Sequence, residues 1–117
     1  LVSSQRILNH FDILILEEAF NFLQKIDKRH AEKILYNIRK AQKLKDPKLF
    51  KKLNAEIWEF RTLVDRNQYR LLAFWDKSSM NTKVVVTTGV LKKSSKLPER
   101  EINKAVSMRS EYLKQKK

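Results

Sequence analysis

The chain has no cysteine, one glycine and two prolines among its 117 residues. Without cysteine there is no disulfide framework and no thiolate metal site, and the same absence agrees with a reducing compartment. So little glycine and proline leaves small room for long loops, and the elements should be joined tightly. Histidine is almost as scarce. His10 and His30 are the only two; neither has a partner at metal-ligand spacing, and both are expected to be structural or solvated. No apolar run approaches the roughly 18 to 20 residues of a membrane span, so no membrane partner is expected. No charged segment leads into a long apolar stretch, and so no secretory signal is expected. Leu1 in place of Met points to a trimmed, engineered or alternative start. The chain also has no Gly-rich phosphate loop, no nucleophile elbow and no Cys–His pair. Glu56 and Glu59 are nearly the only carboxylates near its basic strands, too few for a metal cluster. No metal and no cofactor are expected.

What the chain does have is positive charge. Lys and Arg number 26 against 13 acids, for a net charge of +13 and a pI near 10.1. Such an excess points to a polyanionic partner, either nucleic acid or an acidic protein that masks the charge. The length suits a single domain spanning 1–117, and 42% hydrophobic residues are enough for one core.

Taken in order, the run Ile7–Leu16 contains a first strand. Glu17 and Glu18 then open a helix whose apolar stripe is Ala19, Phe22, Leu23 and Ile26. A tight turn holding His30, with Asp27 as a cap, leads into a second helix over Lys28–Leu44. So short a join makes an antiparallel helical hairpin. Asp46-Pro47 starts a short helical turn through Leu49, Phe50 and Leu53. Between Lys25 and Lys52 stand eleven Lys or Arg against three acids. That surface, with Lys40, Lys43, Lys51 and Lys52, faces either nucleic acid and the ribosome or an acidic partner.

Strands follow over Ala55–Val64, Gln68–Asp76 and Thr82–Val90. In the first, Trp58, Phe60 and Thr62 point to one side and Ile57, Glu59, Arg61 and Leu63 to the other. The turn Asp65-Arg66-Asn67 places a positive φ at Asn67, and short turns make the three strands an antiparallel meander. The chain turns at Gly89, passes Lys92, Lys93 and Lys96, and enters a last helix at Pro98 with Glu99 and Glu101 in its first turn. The fold class is therefore α+β, in the order β-α-α-β-β-β-α. A small antiparallel sheet of about four strands carries the hairpin on one face and a C-terminal helix. The second face is left to solvent, a partner or a reaction.

The chemistry points to a basic set on the strands. Arg61 shares its strand face with Glu59, and Arg70 interrupts an apolar strand, where an arginine is costly unless paired. One account pairs Glu59 with the arginines as an ion pair that finishes the sheet. Another has both arginines grip a phosphate, with Lys92 and Lys93 adding charge where the sheet ends.

Read in sequence, Ile57-Trp58-Glu59-Phe60-Arg61, then Tyr69-Arg70, then Gly89-Val90-Leu91-Lys92-Lys93 through Pro98, Glu101-Ile102 and Ala105 resembles the HigB branch of the RelE/ParE toxin superfamily. That group is also described as phage-derived Gp49-like proteins, and the resemblance covers nearly the whole chain. It implies the toxin of a type II toxin–antitoxin system: a cytoplasmic, metal-independent, ribosome-associated mRNA endonuclease silenced by a helix-turn-helix antitoxin. Carried over by position, Arg61 and Arg70 contact phosphate and Lys92 and Lys93 form the basic edge beside it. Arg66 and Lys96 join the lysines already named as RNA contacts. Glu59, a lysine or Tyr112 is the general base. Two positions depart from the pattern, with Val90 where Phe is usual and Leu97 where Thr or Ser would cap the last helix. The superfamily also holds toxins that inhibit DNA gyrase without cutting RNA, and a non-catalytic basic nucleic-acid-binding module is a further alternative.

Overall fold

The computed structural model of the chain describes residues 9–116. The expectation about Leu1, and the first residues of the Ile7–Leu16 run, lie outside them. Five strands and three helices follow in the order β1 (Asp12–Ile15), α1 (Glu17–Lys25), α2 (Lys28–Lys43), β2 (Phe50–Lys52), β3 (Trp58–Val64), β4 (Asn67–Asp76), β5 (Lys83–Lys92) and α3 (Glu99–Gln115). They form one sheet ordered β1-β5-β4-β3-β2. The meander β3-β4-β5 is antiparallel as expected; β2 adds antiparallel to its near edge and β1 adds to its far edge in parallel with β5, so the sheet is mixed where an antiparallel one was expected.

The α+β class and the helical hairpin hold, and the turn expected at Asp46-Pro47 forms with Asp46 as its cap, but it stops at Leu49 instead of running through Phe50 and Leu53. Asp46, Pro47, Lys48 and Leu49 form a hydrogen-bonded turn, with the amides of Leu49 and Phe50 donating to the Asp46 carbonyl. The chain then straightens into β2. Phe50 stacks on Phe60 at 4.3 Å between ring centroids, and that cross-strand packing overrides the helical spacing of Leu49, Phe50 and Leu53.

Strand alternation sorts the core into two layers. On one face Phe60, Tyr69, Leu71, Ala73, Val84 and Val86 meet Ala19 and Leu23 of α1 and Ile34, Ile38 and Ala41 of α2. On the other, Ile57, Leu72, Phe74 and Val85 meet Leu97 and Ala105. So the second face, expected to lie open, is covered over part of its area by α3. His30 lies within α2 rather than in the joining turn. Its Nε2 donates to Asp65 Oδ2 (2.9 Å) and its Nδ1 is bonded to the Tyr69 hydroxyl (2.7 Å), fastening the β3–β4 turn to the helix. Asp65 and Arg66, not Asn67, carry the positive φ values of 49° and 67°, as a two-residue hairpin turn requires.

Gly89 does not turn the chain. It sits inside β5, opposite Leu71, with no positive φ. Its need is spatial, because the Phe22 ring of α1 occupies the place a Cβ would take. The junction after it also differs from expectation. Pro98 is the N-cap of α3 and makes no side-chain cap, while Leu97 is 8% exposed within the α3 cluster that includes Ile102. That is the spacing of a hydrophobic staple across a helix start. The missing cap costs about 1 kcal/mol; burying a leucine contributes about 1.5–3 kcal/mol, so packing decides the residue.

The far end of α3 is held by charge. Asp76, 1% exposed at the end of β4, accepts from the Tyr112 hydroxyl at 2.7 Å, from Lys116 at 2.8 Å and from Ser78. Burial alone pushes this carboxyl up, but the bonds from Lys116, Ser78 and Tyr112 together outweigh it and hold the group well below its ordinary value. A carboxylate depressed in the folded state stabilises it fully above the unfolded value of 3.8 and loses that contribution as pH falls below it. Asp76→Asn is therefore expected to lower the unfolding temperature at pH 7 and to flatten the loss of stability below pH ~4. Equal acid sensitivity in parent and variant would count against the clamp. Gly89→Ala is expected to cost about 1–3 kcal/mol in urea unfolding, partly recovered by adding Phe22→Ala. A cost of a few tenths would mean that the ring steps aside freely.

Candidate functional site

The strand register builds a polar patch on the part of the second face that α3 leaves open. Arg61 pairs directly with Arg70, and Arg70 with Val90. One row beyond stand Leu63, Gln68 and Lys92; one row before stand Lys51, Glu59, Leu72 and Thr88. Residues directly paired across strands share a face, so Lys51, Glu59, Arg61, Arg70 and Lys92 all belong to one side.

Two guanidinium groups so close repel each other, and Glu59 resolves the conflict. Its Oε1 lies 3.4 Å from Arg70 Nε and its Oε2 3.7 Å from Arg61 Nε. Glu59 and Arg70 are both buried, with side chains 8% and 4% exposed. Arg70 spends its remaining donors locally, Nη1 on the Tyr69 carbonyl and Nη2 on Gln68 Oε1, each at 3.1 Å. Burial pulls Arg70 below the ordinary guanidinium value, Glu59 draws it back up and Arg61 presses it down again; a guanidinium stays cationic regardless.

Arg61 differs. Its side chain is 34% exposed, and its Nε is a buried donor with no hydrogen-bond partner among the described residues. It opens into a cavity of about 310 Å³ lined by Lys48, Arg61, Thr62, Leu63, Gln68 and Arg70. Lys48 arrives there because the turn at Asp46 brings the Leu49 carbonyl to the Arg61 amide, 2.8 Å away.

The structure thus brings Glu59, Arg61 and Arg70 together, with Lys51 and Lys92 on the same face. It does not gather the rest of the expected set. Lys93 lies past the end of β5 and lines a separate cavity beside Phe22 and Gly89. Lys40 and Lys43 are exposed on the last turn of α2, behind the sheet. Lys52 pairs with Trp58 and shares the opposite face from Lys51. Arg66 is exposed in the β3–β4 turn, and Lys96 in the loop before α3. Tyr112 is not near the arginines: its hydroxyl is committed to Asp76, and burial first, then that carboxylate, raises its pKa. Among the described residues no three His, Asp or Glu side chains are arranged to hold a metal ion. Lys48 and Gln68 were missed from the sequence. Only a strand over residues 50–52 places Lys48 at the arginines, and only the β4 register turns Gln68 toward Arg70.

Removing the shared carboxylate tests the pair. Glu59→Ala leaves the buried Arg70 uncompensated and is expected to cost about 3–5 kcal/mol in chemical unfolding, whereas Glu59→Gln keeps an acceptor and costs less. Equal, small losses in both variants would show that the pair is not needed for folding.

Comparison with known proteins follows the same lines. No curated protein matches the chain. The family described as Phage derived protein Gp49-like (DUF891) matches residues 21–110, from within α1 through most of α3. That span holds every residue of the arginine cavity. The family comprises toxins of the toxin–antitoxin type, which implies an antitoxin partner. The chain belongs to the Gp49-like family, within the RelE/HigB-like toxin superfamily.

Proposed function

We propose that the protein is an mRNA endonuclease acting at the ribosome, with the cavity at Arg61 as the seat of the scissile phosphate. The observation that supports this most is the state of the Arg61 guanidinium. Its side chain is 34% exposed, Glu59 holds its Nε from below, and Lys48 lines the cavity with it. A phosphate presents two oxygens to such a guanidinium fork at once.

In this reading the ribose 2′-oxygen attacks the adjacent phosphorus. The bond from phosphorus to the 5′-oxygen breaks, leaving a 2′,3′-cyclic phosphate on one fragment and a 5′-hydroxyl on the other. The proton lost by the 2′-hydroxyl is balanced by one gained at the leaving oxygen. Arg61 and Lys48 stabilise the charge that builds on the non-bridging oxygens, where a preorganised donor matters most. Arg70 is a positioning residue whose donors hold Glu59 and Gln68 in place. Lys51 and Lys92 widen the positive face along which the RNA backbone lies.

Arg61 is the cleaner probe, because Arg70 is buried and its removal disturbs the sheet. Arg61→Ala is expected to keep the unfolding midpoint while lowering mRNA cleavage by about 10²–10³-fold and relieving growth arrest. Cleavage at the parental rate would sink the assignment. DNA breakage with intact mRNA would instead favour inhibition of gyrase.

A further inference from the structure

The arginine cavity leaves unused an aromatic cleft at the other end of the β3–β4 pair, on the α2 face. Beyond the last turn of α2, Phe11, Phe50, Trp58 and Trp75 line a cleft of about 420 Å³, within the usual size range of small-ligand sites. The segment from Leu44 to Pro47 walls it on the other side. Trp58 and Trp75 meet edge to face, with centroids 5.7 Å apart, and both remain partly exposed. The same two rings also line a second cavity, on the side of Lys52 and Lys77.

We propose that this cleft binds an unpaired nucleobase of single-stranded RNA, stacked on the open face of one tryptophan, with the flanking phosphates held by the lysines around the two rings. Two observations select this occupant. The apolar rings are left partly open at a site large enough for a ligand, and aromatic faces stack on any base. The charge around the two tryptophans is mainly positive: Lys45 lines this cleft, and Lys52 and Lys77 line the adjoining cavity that shares both rings. Lys45, Lys52 and Lys77 are exposed and make no ion pair among the described residues, and Lys77 Nζ lies 5.5 Å from the Trp75 ring centre. Two acids stand among them: Glu56, of the adjoining cavity, is paired with Arg109 at 2.8 Å, and Asp46, in the cleft's own lining, is a carboxylate bonded to the amide of Lys48. An apolar peptide would gain nothing from those lysines, whereas a nucleotide uses rings and cations together.

The site lies on the opposite face from Arg61 and three residues away along β3, roughly 10 Å. It stands whether or not the cavity at Arg61 cuts RNA. It also reports on itself, since Trp58 and Trp75 are the only tryptophans in the chain. Titration of the whole protein with a short single-stranded RNA, followed by tryptophan emission, is expected to quench the signal saturably. An abasic oligonucleotide of equal length and charge is expected to leave the emission nearly unchanged. Trp58→Ala should weaken binding about tenfold, the cost of losing one stacking partner. Because that variant removes partly buried surface, the double variant Lys45→Glu/Lys52→Glu serves as a folded control and should also weaken binding at least about tenfold. Arg61→Ala should still give saturable quenching even where cleavage is lost, which separates this inference from the nuclease reading. No quenching at millimolar RNA, equal quenching by the abasic strand, or quenching by an acidic peptide instead of RNA would each overturn it.

Discussion

The second face of the sheet depends on how Glu59 is shared between two arginines. Arg61 and Arg70 are directly paired across β3 and β4, a placement that would be repulsive in isolation. Glu59, on the same face and one row away, touches both. The arrangement costs desolvation, and apolar groups of similar volume often replace a buried ion cluster with no loss of stability. What the charged version provides is a guanidinium lining a cavity and resting on a buried carboxylate. Stability and aim are thus served by different arginines. Arg70 is fully engaged with protein groups, and Arg61 is left with donors to offer.

The two helical layers set the limits of that site. The α1–α2 hairpin occupies one face almost to its end, and Gly89 lets Phe22 press against β5 there. On the other face, α3 is fixed at both ends, by Leu97 at its start and by Asp76 at its finish. These anchors confine α3 to the half of the sheet that carries Leu72, Phe74 and Val85, and the arginine half stays open. The position of the open area therefore follows from where a helix is pinned, not from any sequence motif at the arginines themselves.

Much of this was legible in the chain. The acidic start of α1, the stripe of α2 and the alternation of β3 each follow from local periodicity, and they gave the right faces for Phe60 and Thr62 against Glu59 and Arg61. The misread parts share a physical cause, since each was decided by a neighbour distant in sequence. Residues 50–52 are strand because Phe50 stacks on Phe60. Gly89 is glycine because of Phe22, not because the chain turns, and Leu97 is leucine because of the α3 core. Lys93 looked equivalent to Lys92, yet the strand ends between them and sends the two to different surfaces. For the candidate site, Glu59 and the two arginines could be grouped by alternation and resemblance, while Lys48 and Gln68 needed the register.

The parallel pairing of β1 with β5 constrains the order in which the chain can assemble. Asp12 lies opposite Lys83, so β1 has no partner until β5, the last of the described strands, has been made. The helical hairpin that follows it closes locally and early, while β1 must wait as a free edge. Synthesis therefore passes through a stage in which the α1–α2 segment is available while β1 still lacks its partner strand. The sheet is completed only when the C-terminal third of the polypeptide, which carries β5, is available.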